Sequence, residues 1–313
     1  MSRLVPNAGA LRLATIVTVS LGVVVLVAGL TAGAGLAIEV ALGSIAVMTM
    51  VVREASMAAK AVFVALTAAL VAAADYAIQP WAMAALVAFA ALAAIPFTAR
   101  YGPVGAALPI VVVATGAQAE VVEPWHAAIG VLLAAATLVA LVRLLKVPLM
   151  PAEPVGVRVA LVHGVTLALV AGAVTGVVIS QGWGHGVWIV FGLSAVLLPN
   201  AHHARGEASA RIVGTLGGAA AGVLVAAALP PAVDLALAGV ALVLALGHAI
   251  AGENRMFAGF VTAAIVLGAA AAAPGSEWST AAQRLGFTVA GALVGAAAAW
   301  VFLRRLSPDV RAK

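Results

Sequence analysis

Four ionisable residues sit inside stretches that are otherwise apolar, and they bound the chemistry open to this chain. Glu39 lies in GLAIEVALG, Lys60 in MAAKAVFVAL, Arg211 in ASARIVGTLG and Arg284 in AAQRLGFTVAG. A charge in hydrocarbon is costly, so such residues face a cavity, a partner or the interface. A lone arginine on a cavity attracts organic anions, and its guanidinium clamps a carboxylate through two parallel N–H bonds. Arg284 has a structural alternative, an ion pair with Glu277, Glu120 or Glu123. Glu39 suits a proton-coupling carboxylate or a gate, and equally a shallow carboxylate solvated at the interface. Lys60 and Arg211 each open an apolar stretch. They read either as a positive ring at an inner vestibule or as interfacial anchors with snorkelling stems.

Other chemistry is poorly represented. With no cysteine, disulfides and thiolate metal sites are out. His202 and His203 are neighbours with Glu207 close by, but two adjacent imidazoles without a third spaced ligand make no metal site, and none is expected. His163 and His248 fall within apolar runs, where an imidazole senses pH or bonds across helices. No phosphate loop, nucleophile elbow or zinc-binding helix motif occurs, so neither an enzyme nor a cofactor is expected.

The elements that must position these residues follow from composition. Hydrophobic residues make up 65% of the 313 and charged residues 9%, with a mean hydropathy of +1.20. A soluble domain is about half apolar and about a quarter charged. This chain therefore needs lipid as its solvent, and an all-α integral membrane protein is expected. The pI near 10.4 belongs to short basic loops and calls for no nucleic-acid partner. A membrane helix takes about 20 apolar residues. Breaking the runs at charges, prolines and polar clusters gives twelve spans: 11–30, 35–52, 57–75, 81–97, 103–119, 125–145, 157–179, 186–198, 208–229, 233–251, 256–272 and 281–303. The N-terminus resembles a signal sequence but runs into the first span without a cleavage site, and reads as a retained helix.

Twelve spans put both termini on one side, and every Lys and Arg except Arg284 falls on that side. Asp75, Glu120, Glu123, Asp234 and Glu277 fall on the other. The bias places the termini in the cytoplasm of a multi-pass protein of the cell membrane. The chain also repeats. Arg12 corresponds to Arg158, Gly43 to Gly192 and Lys60 to Arg211, which predicts two parallel six-helix repeats. Residues 1–146 and 157–313 form the repeats, joined by a proline-rich linker, 147–156.

The span after Arg211 carries Gly214, Gly218 and Gly222, a bare stripe for close helix approach within the chain or across a homodimer. Gly291 and Gly295 repeat it near the C-terminus. In this half, Trp188, Pro199, Arg211, Gly214, Thr215 and Gly218 form a W…P…R..GT..G pattern. Thr262 follows two spans later, and Arg284, Thr288 and Gly291 complete an R…T..G pattern. In these motifs the region from about Val157 to Arg305 resembles the fusaric acid resistance family of membrane transporters. The resemblance implies export of aromatic carboxylic acids or similar amphipathic anions by secondary-active transport. It also implies distant kinship with plant malate channels. Many relatives carry a large soluble domain that finds no counterpart here. A passive organic-anion channel and a non-transporting membrane scaffold are the alternatives.

Overall fold

A computed structural model describes residues 4–117, 123–147, 149–183, 186–199 and 201–303, without the side chains of Pro124, Leu303 and residues 201–205. Among these residues the elements are helical throughout: α1 (Ala8–Ala32), α2 (Ala34–Val51), α3 (Met57–Ala74), α4 (Pro80–Ala93), α5 (Ile95–Tyr101), α6 (Ala107–Gly116), α7 (Pro124–Leu144), α8 (Val157–Ser180), α9 (Val187–Val196), α10 (Ala201–Ala228), α11 (Pro231–Ile250), α12 (Asn254–Ala272) and α13 (Glu277–Ala298). A 3₁₀ turn, Pro103–Ala106, leads into α6, and a π-helical turn, Ala299–Leu303, closes α13. Helices are what lipid permits, because a helix satisfies its backbone groups internally. Local signals place several starts. The Asn7 side chain accepts from Ala10 N at 2.9 Å, Ser56 accepts from Ala59 N at 3.2 Å, and prolines open α4, α7 and α11. A single residue, Gly33 at φ 88°, joins α1 to α2, a left-handed conformation that glycine adopts without strain.

Among the described residues, ten helical segments are long and apolar enough to cross a membrane, with α4 and α5 together making one of them. The other two expected spans are shorter. The stretch 103–119 yields the 3₁₀ turn and α6, and the stretch 186–198 yields only α9. Ten residues of helix reach about 15 Å, half of a hydrocarbon core of about 30 Å, so the expectation of a full span at 186–198 is corrected. The helix stops because Leu197 leaves helical geometry (φ −78°, ψ 73°) and Pro199 has no N–H to continue it. The span at 81–97 likewise breaks at Ala94, just ahead of Pro96.

These two short helices are central. Eight of the ten α6 residues are buried, as are Ile189, Val190, Gly192, Leu193, Ser194 and Val196 of α9, and α6 touches α9. Around them the helices pair through glycines. Gly43 of α2 meets Val131 of α7, Gly192 of α9 meets Thr288 and Gly291 of α13, and Gly164 and Gly172 of α8 meet α4 and the Ile95 side chain. The cross-contacts are reciprocal, α8 lying on α4 while α1 lies on α11. The proline-rich segment is pinned against the α2–α3 turn. Arg53 donates to Pro151 O at 2.8 Å and sits 3.7 Å from Glu153, and the backbones of Val52 and Glu54 bond Met150. Helix termini alternate between one end that gathers arginines and lysines and another that carries Asp75, Glu123, Asp234 and Glu277.

Candidate functional site

Arg284 stands on α13 seven residues past its first, about 10 Å along the axis. It is buried, and its guanidinium carbon lies 3.7 Å from the centroid of the Trp188 ring on α9. The two helices are held at this distance by glycines. A Cβ at Gly291 would come 2.2 Å from Ile189 O, and one at Gly192 would come 2.9 Å from Thr288 O. The cation–π contact is worth about 0.5–2 kcal/mol, but it engages the guanidinium face and leaves the N–H edge free. Nε and Nη1 are buried and make no hydrogen bond, and Arg284 forms no ion pair among the described residues. The structural pairing with Glu277 or Glu123 is therefore not made; Glu120 lies outside the described residues. One turn further on, the Thr288 hydroxyl is also buried and unbonded, as is that of Ser194 on α9.

A second cation is near. The charge of Arg211, on α10, acts on Arg284. Arg211 itself lies 5.2 Å over the Phe257 ring, and its Nε is buried without a partner. Buried N–H groups are nearly always bonded, and an unpaired buried charge is costly. Two guanidiniums thus keep orphaned donors, and the hydroxyls of Thr288 and Ser194 are likewise buried and unbonded.

The rest of the pattern packs. A Cβ at Gly214 would stand 2.3 Å from Arg255 O, one at Gly218 2.0 Å from Gly259 O, and one at Gly222 3.0 Å from Val266 Cβ. The glycine stripe thus meets α12 of the same chain. Thr215 and Pro199 are buried, and Thr262 bonds Ala258 O within α12. Glu207 accepts from Asn254 at 2.6 Å at the foot of this pair. The side chains of His202, His203 and Arg205 lie outside the described residues. Among the described ones, no three His, Asp or Glu converge as metal ligands.

Residues 167–298 match the fusaric acid resistance protein-like family. The Trp188, Arg211, Arg284 and Thr288 site lies wholly within the matched segment. Comparison with curated proteins and with solved structures gave no match. The ten long apolar helices among the described residues, with the family match over part of the chain, fit a multi-pass membrane protein related to membrane transport.

Lys60 and Glu39 lie outside that segment. The Lys60 ammonium donates to Val51 O at 2.7 Å and so satisfies a carbonyl at the C-terminus of α2. No hydrogen bond joins it to Arg211, whose guanidinium lies over Phe257. Glu39 is fully buried; its Oε2 accepts from Thr115 Oγ1 of α6 at 3.1 Å, and its Oε1 is unbonded. Asp75 sits just past α3 with both carboxylate oxygens buried and unbonded. Its carboxyl is held above the usual range by burial and then by Glu123, with His126 pulling the other way. Sequence reasoning missed Thr115 and Asp75 as neighbours of Glu39, and His126 as a neighbour of Asp75. An aspartate between two spans reads as a loop charge, and nothing local announces a threonine 76 positions away.

Proposed function

We propose that this protein is a secondary-active transporter that exports aromatic carboxylic acids or similar small organic anions across the cytoplasmic membrane. One observation carries the reading: a buried guanidinium, stacked on Trp188, with N–H donors that no described residue satisfies. A planar carboxylate fits such an edge in a bidentate fashion. Arg211 draws anions toward it from the arginine-rich end, taken as cytoplasmic from the positive-inside bias. The short, central helices α6 and α9 support the location, since transporters place substrates where interrupted helices end inside the bilayer. The reciprocal packing of α1 on α11 and α8 on α4 supports two parallel repeats with the pathway between them. Glu39, in the first repeat, serves coupling or gating.

The test is uptake of radiolabelled aromatic carboxylates into inverted vesicles, with and without an imposed pH gradient. Gradient-dependent accumulation that Arg284→Gln abolishes is the expected result. Equilibration without accumulation means a channel instead. Saturable uptake unchanged in Arg284→Gln removes the anion role assigned to that residue.

A further inference from the structure

Away from the arginines, orphaned polar atoms of the first half line up toward the acidic end. Glu39 on α2 is backed by Gly130 of α7, where a Cβ would come 2.6 Å from the Glu39 Cβ. Its Oε2 takes the Thr115 hydroxyl and its Oε1 takes nothing. One turn before Gly130 lies His126, 7% exposed. The backbone N–H of Glu123 donates to His126 Nδ1 at 3.2 Å, so the ring proton of the neutral imidazole sits on Nε2, which is buried and unbonded. Asp75 adds two buried, unbonded oxygens; the carbonyl of Ala74, the residue before it, lies beside Gly116, the residue after Thr115. Asp75 acts electrostatically on Glu39, and Glu123 and His126 lie close enough to act on Asp75. Glu123 is exposed. The groups therefore run from the surface inward in the order Glu123, His126 with Asp75, and Glu39 with Thr115.

The charged and titratable groups at this end are Asp75 beyond α3, which acts on Glu39, and Glu123 just before α7 and His126 on α7, which act on Asp75. Neither α6 nor the nearby end of α1 offers one among the described residues. No cation stands in this set, since the His126 ring accepts a backbone N–H at Nδ1. A metal ion is a poor fit. Hard cations take six or more oxygens, and transporters supply many of them from unwound backbone, whereas Glu39 lies on the unbroken helix α2 with one hydroxyl in reach.

We propose that Glu39 is a proton-binding site, filled from the acidic end of the bundle through Asp75. A proton from water bonds to the free Oε1 and turns the carboxylate into a neutral acid; on release it returns to water and restores the anion. The idea rests on the transport reading for its purpose, since a proton entering at the acidic end would accompany an anion leaving toward it. The binding site itself stands without that reading.

Dicyclohexylcarbodiimide tests it, because the reagent labels protonated carboxyls in apolar surroundings. The full chain is reconstituted in vesicles with different pH inside and out, its orientation is fixed by protease access, and the Glu39 peptide is followed by mass spectrometry. Glu39 should be labelled, the label should increase as the compartment at the acidic end is acidified, and sodium should not protect it. Asp75→Asn should slow the response to acidification at that end. Absence of Glu39 labelling in the unmodified chain at any pH overturns the proposal. So does protection by sodium, or labelling that follows only the compartment at the arginine-rich end. Arg284→Gln should leave the labelling unchanged, so loss of the anion site and loss of the proton site are read separately.

Discussion

Two neighbouring glycines on α10 should respond oppositely to the same substitution. At Gly218 an added Cβ would stand 2.0 Å from Gly259 O and 2.7 Å from its carbonyl carbon, whereas at Gly217 no atom lies within 4 Å. Ordinary contact begins at 3.4 Å, so Gly218→Ala requires α10 and α12 to separate by about 1.4 Å if the clash is relieved along that line. The obstacle is backbone, and no side chain can swing aside. Overpacking of this kind costs about 1–3 kcal/mol, and the gain in helix propensity from glycine to alanine returns about 1 kcal/mol. At the severe end that leaves Gly218→Ala less stable by about 2 kcal/mol. Gly217→Ala keeps only the propensity gain, about 0.5–1 kcal/mol. Thermal unfolding of the purified protein in one detergent, followed by fluorescence-detected size exclusion, measures both. Equal midpoints for the two variants would refute the packing argument. A destabilised Gly217→Ala would refute the assignment of which face meets α12.

Other expectations follow from single contacts. Trp188→Leu removes the ring beneath Arg284, a loss of about 0.5–2 kcal/mol, and should raise the half-saturation for a transported anion by roughly two- to thirty-fold, with Trp188→Phe retaining most of the affinity. Lys60→Met keeps the stem and removes the bond to Val51 O, so it should cost at most about 1–3 kcal/mol of stability. It should leave half-saturation unchanged; a rise there would restore the vestibule role for Lys60.

The sequence by itself determined the solvent, the helices and most of their limits. Those properties are local, because a helix in lipid satisfies its own backbone and need only be long and apolar enough. Arg284 and Glu39 also announced themselves, since a charge within an apolar run is conspicuous whatever surrounds it. The stripe at Gly214, Gly218 and Gly222 declared that a helix would come close, and only the fold showed that helix to be α12. The partners of the charges were decided by tertiary structure. Trp188 lies under Arg284, and Thr115 bonds Glu39, across wide gaps in the chain. These helices are apolar around most of their circumference, so periodicity marks no face for the core. Which sides meet is settled by shape, where glycines let backbones approach and short helices such as α9 leave polar groups inside.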